Sequence, residues 1–267
     1  MTSGIDPEAN LDTICQALSD ARGGGAAMLF TPEMSLLLDR DRERAAGNIE
    51  NEDDNTRLNH LCAEVRAQNL WLALGSMAVR RAGGRLANRS LLISPEGAIA
   101  ARYDKIHMFD VALASGESWR ESAAYAPGEA VVTAQTPLGR LGLTVCYDIR
   151  FPALFEELGQ QACDAIAIPA AFTVPTGEAH WHLLQRARAV EASAYVISAA
   201  QVGEHADGRR TYGHSLVVDP WGEVVLDMGG EGPGLAFAKI DPERVSQIRQ
   251  QLPSLANRRP IVTSSGT

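Results

Sequence analysis

The chain has 267 residues, of which 45% are apolar and 21% are charged, proportions typical of a globular protein with a hydrophobic core. Its 24 Lys and Arg residues against 33 Asp and Glu residues give a net charge of −9, which argues against a protein that binds nucleic acid or an anionic membrane surface. No apolar run approaches the ~20 residues that span a bilayer, and the first residues lack the pattern of a secretory signal, so we expect a soluble cytoplasmic protein.

The first half of the chain alternates helix-like and strand-like segments. Asp6 and Pro7 form a helix start, with an N-cap followed by proline at the first helical position, and the triple glycine at 23–25 ends that helix. Residues 26–30 form a short apolar run that predicts a buried strand, and residues 56–68 predict a second helix. Further strands are predicted at 71–77, 90–93 and 99–103, the last two joined by a hairpin-like turn.

The second half continues the alternation after a long loop at 107–130, a length that is often functional in a compact domain. Helices are predicted from 152 to about 158, from 180 to 191 and from 242 to 251. The helix at 180–191 is expected to turn Leu183, Leu184, Ala187 and Val190 inward. Strands are predicted at 141–145, 165–168, 195–199, 215–218, 224–226 and 235–240. The alternation indicates an α/β protein, and the absence of a linker predicts a single domain over 1–267.

Three polar residues follow strand-like runs. Glu33 comes after 26–30, Lys105 after 99–103, and Cys146 ends 141–145. Because sites assemble at the carboxyl ends of strands in open α/β sheets, these residues could meet on one rim. A thiol, a carboxylate and an ammonium suit nucleophilic catalysis, in which the lysine would lower the thiol pKa and stabilise an oxyanion.

Each of these residues also has an ordinary structural explanation. A lone cysteine at a strand end is more often a small core residue, a glutamate after proline can cap a helix, and a lysine at a strand end is commonly a solvated edge charge. The remaining cysteines, Cys15, Cys62 and Cys163, are expected in the core. No CxxC pair is present, so neither a disulfide framework nor a zinc finger is expected.

The sequence segments around the three residues resemble motifs of the nitrilase, or carbon–nitrogen hydrolase, superfamily. The motifs are LFTPE at 29–33, RYDKIHMFD at 102–110 and GLTVCYDIRFP at 142–152. Their order, Glu then Lys then Cys, matches the family, and the likeness runs over essentially the whole chain. The resemblance implies a four-layer αββα sandwich. It also implies a reaction that requires no metal or organic cofactor. It also implies a homodimer or higher oligomer, formed through the helices after 152 and after 180.

The resemblance also implies roles for individual residues. Cys146 is expected to be the nucleophile, Glu33 the general base and Lys105 the oxyanion stabiliser. Glu121 matches a second glutamate of the family that orients the lysine and helps hold the substrate. The backbone N–H of Tyr147 is expected to be the second oxyanion donor.

The segment FTVPTGEAHW at 172–181 resembles the substrate loop of the Nit-type amidases, which implies contacts from Phe172, Thr173 and His180. Arg150, Arg186 or Arg188 could grip a substrate carboxylate, or could pair with carboxylates of the protein. His107, His180 and His214 have no partners at ligand spacing in the sequence, so no metal site is expected.

Later segments, including 199–203, 212–215 and 231–234, resemble the deaminated glutathione amidase branch more than the ω-amidase branch. We therefore expect an amidase that acts on a small, anionic amide of a 2-oxo acid. The alternatives are an ω-amidase acting on 2-oxoglutaramate or 2-oxosuccinamate, a generic bacterial carbon–nitrogen hydrolase, and a catalytically silent binding protein.

The start of the chain departs from the family pattern. Family members carry an apolar strand that runs into a motif matched here by residues 1–3, so the first strand is expected to be missing. An internal strand lost from a sheet would leave backbone groups unpaired and a gap in the core. A late start or a truncation would explain this.

Overall fold

The computed structural model describes residues 1–112, 116 and 118–261. Within this part of the chain the α-helices are α1 (Pro7–Gly23), α2 (Arg42–Ala46), α3 (Thr56–Gln68), α4 (Pro152–Gln160), α5 (Val174–Ala192) and α6 (Pro242–Gln251). Two 3₁₀ turns cover Glu121–Ala123 and Cys146–Arg150. None of the described helices is both long enough and apolar enough to cross a membrane.

The strands form two main sheets and two short hairpins. One sheet has the order β1-β2-β3-β4 and the other β14-β13-β10-β9-β8-β7, while β5-β6 and β11-β12 pair separately. Their bounds are β1 (Met28–Phe30), β2 (Trp71–Arg80), β3 (Leu86–Ile93), β4 (Ile99–Asp104), β5 (Asp110–Ala112), β6 (Ser118–Arg120), β7 (Val132–Thr136), β8 (Gly139–Leu143), β9 (Ala165–Ala167), β10 (Tyr195–Ser198), β11 (Val202–Glu204), β12 (Arg210–Tyr212), β13 (Leu216–Val218) and β14 (Val224–Asp227).

Side-chain alternation in the four-stranded sheet sorts its residues into two cores. Met28, Ala73 and Leu92 belong to a core shared with the six-stranded sheet and with α4 and α5. Their neighbours Leu29 and Leu72 belong to a second core with α1 and α3. Because successive strand residues point to opposite faces, the layers run helix, sheet, sheet, helix, which confirms the four-layer sandwich.

Three helices that begin at a side-chain N-cap form where the sequence predicts them. Asp6 caps α1 by accepting hydrogen bonds from the backbone N–H groups of Glu8 and Ala9, which lack intrahelical partners. The bounds of α3 and α6 coincide with the predicted 56–68 and 242–251. Cys163 is fully buried as expected, whereas Cys15 and Cys62 are only partly buried.

Helix α5 begins earlier than predicted and turns a different face inward. Leu183 and Val190, predicted to be buried, are 66% and 42% exposed, so that part of the prediction is wrong. The buried face instead carries Trp181, Gln185 and Arg188. These polar groups find distant partners: the Ser198 hydroxyl donates to Gln185, and Arg188 donates to the backbone carbonyl of Ile149. Hydrogen bonding permits their burial, which hydrophobic spacing does not anticipate.

Three further segments differ from the prediction. Residues 235–240 are not a strand; their apolar side chains Leu235 and Phe237 are exposed. The Phe237 ring lies against Gly24, where an added Cβ would meet it at 2.3 Å. Strand β7 was not predicted, and it pairs antiparallel with β8. The predicted loop 107–130 contains β5, β6 and the first 3₁₀ turn; residues 113–115 and 117 lie outside the described residues.

The first residues of the chain are bonded to a distant segment. The Thr2 hydroxyl donates to the carbonyl of Val202, and the Val202 N–H donates to the carbonyl of Met1. The Ser3 N–H donates to the side chain of Gln201, which in turn donates to the carbonyl of Glu33. Among the described residues, α1 precedes the first strand.

Candidate active site

Glu33 lies on a loop that follows β1 and rests on β2. The Thr31 N–H donates to the carbonyl of Ala73, and the Gly75 N–H donates to the Thr31 hydroxyl. A Cβ added to Gly75 would lie 2.0 Å from the Thr31 carbonyl oxygen. Only glycine permits this close backbone approach. The fold therefore fixes the loop, and with it the Glu33 side chain, against the sheet.

Lys105 directly follows β4 and is almost fully buried. Its Nζ lies 3.0 Å from Glu33 Oε1, and 3.1 Å and 2.9 Å from the two oxygens of Glu121. Glu121 Oε2 also accepts from the backbone N–H of Phe109 at 2.7 Å. The structure thus joins three predicted site residues from three separate segments into one ionic cluster.

Cys146 stands at a sharp turn between β8 and the second 3₁₀ turn. Its φ of +49° is a left-handed conformation that non-glycine residues seldom adopt, and its N–H donates to the carbonyl of Pro169 at 2.8 Å. The Tyr147 N–H follows in the first turn of the 3₁₀ segment, where backbone donors lack intrahelical acceptors. The Cys146 thiol and the backbone N–H of Tyr147 are therefore neighbours at the start of the 3₁₀ segment.

Asp148 holds this turn in place. Its carboxylate accepts from the Val145 N–H at 2.9 Å and from the Tyr103 hydroxyl at 2.6 Å. It also accepts from the N–H of His107 at 3.1 Å, and the His107 ring lies 2.7 Å away through Nδ1. Asp148 is completely buried, so it ties the second motif to the third. The sequence analysis did not single out this residue.

The cluster determines the charges of the resting site. Burial raises the pKa of Glu33, but the Lys105 charge and hydrogen bonds from Cys146, Lys105 and Asn88 outweigh burial and leave that pKa lowered. Burial lowers the pKa of Lys105, but Glu121 and Glu33 hold it well above its ordinary value. The site therefore contains a carboxylate at Glu33 and an ammonium at Lys105.

Lys105 lowers the thiol pKa of Cys146 as expected, but the expectation that this pKa falls overall is wrong. Burial and then the charge of Glu33 raise this pKa well above its ordinary value, and Lys105 offsets only part of that rise. Glu33 is close enough to the thiol for each group to shift the pKa of the other. The resting nucleophile is thus a thiol with a base beside it.

Asn88 is a further site residue that the sequence analysis missed. It lies in β3, and its side-chain amide donates to Glu33 Oε1 at 2.9 Å and to Glu121 Oε1 at 3.1 Å. The signal in the sequence is a lone amide in the run Leu86–Ile93, just before the segment 90–93 that was predicted as strand.

A cavity of about 500 Å³ opens over this cluster. Its lining includes seven of the predicted site residues: Glu33, Lys105, Glu121, Cys146, Tyr147, Phe172 and Thr173. The other four predicted residues, His180, Arg150, Arg186 and Arg188, are absent from the described lining. Arg150 contacts His180, with its Nη1 3.3 Å from the imidazole Nδ1, and Arg186 donates to the carbonyl of Gly222. Arg188 is bonded to Ile149 and Glu191.

One set of side chains with metal-ligand chemistry lies outside the cavity lining. His214, which has no ligand-spaced partner in the sequence, lies with His182 beside Asp227, and one ligand atom from each falls within 4.8 Å of the others. Both imidazoles contact the Asp227 carboxylate, at 3.0 Å from His182 and 2.9 Å from His214. The carboxylate is the hydrogen-bond partner of both rings.

The chain is similar in sequence and in fold to several known proteins. A protein named deaminated glutathione amidase from Yersinia enterocolitica is 40% identical over 265 residues, covering 97% of this chain and 91% of the relative. A human protein of the same name is 37% identical over 265 residues, with coverage of 97% and 80%. The C. elegans NitFhit structure superposes with a TM-score of 0.88 and 34% identity, over 97% of this chain and 63% of that chain. The structure of Saccharomyces cerevisiae Nit3 superposes with a TM-score of 0.84 and 28% identity, with coverage of 94% and 91%.

The family model for carbon–nitrogen hydrolases matches residues 1–250. This match spans the Glu33 loop, the Lys105 strand end and the Cys146 turn, and it includes both main sheets. The chain belongs to the carbon–nitrogen hydrolase family.

Proposed function

We propose that the protein is a cysteine-dependent amidase that hydrolyses a carbon–nitrogen amide bond through a thioester. The observation that carries this proposal is that Cys146, Glu33 and Lys105 line one cavity, in which Glu33 and the thiol each shift the pKa of the other. Lys105 stands beside the Glu33 carboxylate, with its Nζ 3.0 Å away. A nucleophile, a base and a cation thus share one cavity.

In the first half of the reaction, Glu33 takes the thiol proton as Cys146 Sγ attacks the amide carbon. The carbonyl oxygen becomes an oxyanion that Lys105 Nζ and the Tyr147 N–H stabilise. Each such donor is typically worth ~3–4 kcal/mol, or about 100- to 1000-fold in rate. Glu33 then gives its proton to the leaving amine, and an acyl-thioester remains on Cys146.

In the second half, Glu33 removes a proton from a water molecule, which attacks the thioester carbon. The same oxyanion donors stabilise the second tetrahedral intermediate. Its collapse releases the carboxylic acid and the Cys146 thiolate, which recovers the proton from Glu33. Because Lys105 also binds Glu121, its ammonium stays oriented and charged throughout.

We assign the substrate as an anionic amide of a 2-oxo acid, with deaminated glutathione as the leading candidate. Relatives of that name support this assignment, and so does the charge of the cavity. Its described lining contains seven arginines: Arg40, Arg42, Arg80, Arg85, Arg120, Arg209 and Arg210. The carboxylates there are Glu33, Glu121 and Asp39, the last paired with Arg44. In a protein of net charge −9, such a local excess of guanidinium groups suits carboxylate recognition.

We propose a single domain over 1–267 in the cytoplasm, assembled as a homodimer through α4 and α5. The exposed side chains Leu183 and Val190 on α5, next to the exposed Trp221, support that interface. Val190 lies against the turn that carries Trp221, since a Cβ added to Gly222 would meet it at 2.9 Å. Large apolar side chains of this kind are common at interfaces between subunits.

A substrate panel on the purified protein tests the proposed function. The panel contains deaminated glutathione, 2-oxoglutaramate, simple amides, an N-carbamoyl amine and a nitrile, with release of cysteinylglycine, ammonia and acid as readouts. Cys146→Ala is the test variant, and Cys15→Ala, in a partly buried thiol of α1, is the matched control. We expect fast release of cysteinylglycine that only Cys146→Ala abolishes. Preference for 2-oxoglutaramate would contradict the substrate assignment but would agree with the proposed thioester mechanism. Turnover by Cys146→Ala would refute that mechanism.

A further inference from the structure

Asn88 occupies the centre of the charged cluster, although it carries no charge. It is 1% exposed, and its Nδ2 donates to Glu33 Oε1 and Glu121 Oε1. The same two oxygens accept from Lys105 Nζ at 3.0 Å and 3.1 Å. The two carboxylates therefore share two donors, one cationic and one neutral, and the four groups close a ring.

The orientation of the amide follows from its surroundings. The Asn88 Oδ1 atom is buried and has no hydrogen-bond partner among the described residues. Exchanging the amide's oxygen and nitrogen would direct Oδ1 at two carboxylate oxygens, which repel it. An unpaired buried acceptor lowers the stability of the folded protein. The two charge-assisted hydrogen bonds that Nδ2 donates offset this cost.

Asn88 also fixes the lysine from its other end. The Lys105 N–H donates to the Asn88 carbonyl at 2.9 Å, which continues the pairing of β3 with β4. One residue thus aligns the backbone of Lys105 and the two carboxylates that hold its ammonium. The second oxygen of Glu33 is separately held by the Ala171 N–H at 3.0 Å.

We propose that Asn88 is a positioning residue for the amidase reaction, which keeps Glu33 and Glu121 fixed on Lys105 without adding a charge to the cluster. This inference rests on the proposed function. Asn88 lines the cavity at its two carboxylate partners, and it acts through Glu33 and Lys105. Its removal leaves Glu33 Oε1 held by Lys105 alone, so the base can move relative to the thiol and the cost falls on kcat rather than on KM.

The pH dependence follows from the groups that face Glu33. These are Lys105, Cys146, Glu121 and the Tyr125 hydroxyl, whose own pKa is raised by burial and by Glu121. The hydrogen bond from Asn88 lowers the Glu33 pKa, so its loss raises that pKa. The acid limb of kcat/KM against pH then moves to higher pH.

The test compares Asn88→Ala and Asn88→Asp with the control Asn55→Ala, which removes a buried asparagine at the N-cap of α3. We expect kcat to fall about 10- to 100-fold in Asn88→Ala, as for a lost hydrogen bond to a charged group. KM should change less, and the acid limb of kcat/KM against pH should move to higher pH. The control should lower Tm and leave the pH profile unchanged.

Asn88→Asp keeps the shape of the side chain and serves as the test variant if Asn88→Ala does not fold. A third carboxyl group in the cluster must be protonated to donate, and it then serves only one of the two carboxylates, so we expect low activity with partial recovery at lower pH. Wild-type kcat and pH profile in either variant would overturn the inference.

A readout without substrate separates this inference from the proposed function. The alkylation rate of Cys146 by iodoacetamide against pH reports the Glu33–thiol pair directly. If the wild type hydrolyses no amide but Asn88→Ala shifts this alkylation profile, the positioning role stands and the amidase proposal fails. An unshifted alkylation profile in a folded Asn88→Ala protein would count against the positioning role.

Discussion

Replacing Lys105 with methionine removes the only cation that contacts both Glu33 and Glu121 in the described part of the chain. Methionine matches the length and apolar stem of lysine and leaves no cavity of note. The substitution leaves two carboxylates, 7% and 13% exposed in their side chains, with Asn88 Nδ2 as their one shared donor. The variant therefore isolates the charge of Lys105 from its packing.

The magnitude follows from the burial of the three groups. Removing one partner from a buried ionic cluster costs about 3–5 kcal/mol, because the remaining charge stays buried without compensation. A protein of this size loses about 2–4 °C of Tm per kcal/mol, so we expect Tm to fall by roughly 6–20 °C at pH 8. Loss of the oxyanion donor should lower kcat by about 100- to 1000-fold.

The destabilisation depends on pH in a defined direction. In the wild type, Glu33 has a lowered pKa, so its contribution to stability is present above the unfolded pKa and is lost as the pH falls. Without Lys105, burial raises the Glu33 pKa above the unfolded value, and the folded state loses stability as the pH rises through that raised pKa. The gap between variant and wild type should be largest at pH 8 and smallest near pH 5.

The assay is thermal unfolding of wild type, Lys105→Met and Lys105→Met/Glu121→Gln from pH 5 to pH 8. The double variant removes one of the two unpaired charges, so we expect it to regain part of the lost Tm without regaining activity. A single variant as stable as wild type at pH 8, or a Tm gap that widens toward pH 5, would refute the electrostatic reasoning.

Three further predictions concern the nucleophile, the Glu33 loop and the cavity. Cys146→Ser should nearly abolish amide turnover, since an alkoxide is far harder to form than a thiolate; turnover at the wild-type rate would contradict this. Gly75→Ala should cost about 3 kcal/mol in chemical denaturation, the upper range for overpacking, because its Cβ meets backbone rather than a flexible side chain; an unchanged unfolding midpoint would exclude the clash. Arg210→Met should raise KM about 3- to 10-fold for deaminated glutathione, as for one lost hydrogen bond, and leave KM for a neutral amide unchanged; equal effects on both substrates would argue against carboxylate recognition.

Local signals predicted much of the fold, and long-range contacts account for the remainder. The caps and spacing of α1, α3 and α6 lie within each helix, so the sequence predicts those elements well. The inward face of α5 depends on Ser198 and Ile149, which hydrogen-bond to polar residues of that helix. No window of the helix sequence contains those partners.

The same distinction holds for the site. Glu33, Lys105 and Cys146 follow strand-like runs within recognisable motifs, and the structure brings them to one cavity. Asn88 carries no motif, and its importance emerges only from carboxylates that reach it from two other segments. The thiol pKa of Cys146 was mispredicted because a sequence shows a neighbouring cation and does not show the extent of burial.

The site is also held together by contacts between residues far apart in the chain. The hydrogen bond between Lys105 and Glu33 spans 72 positions, that between Ala171 and Glu33 spans 138, and that between Gln201 and Glu33 spans 168. Such contacts form late, after long loops have closed and their entropy has been lost. The reactive environment of Cys146 is therefore a property of the completely folded chain, and we expect its characteristic thiol reactivity to be gained at a late stage of refolding.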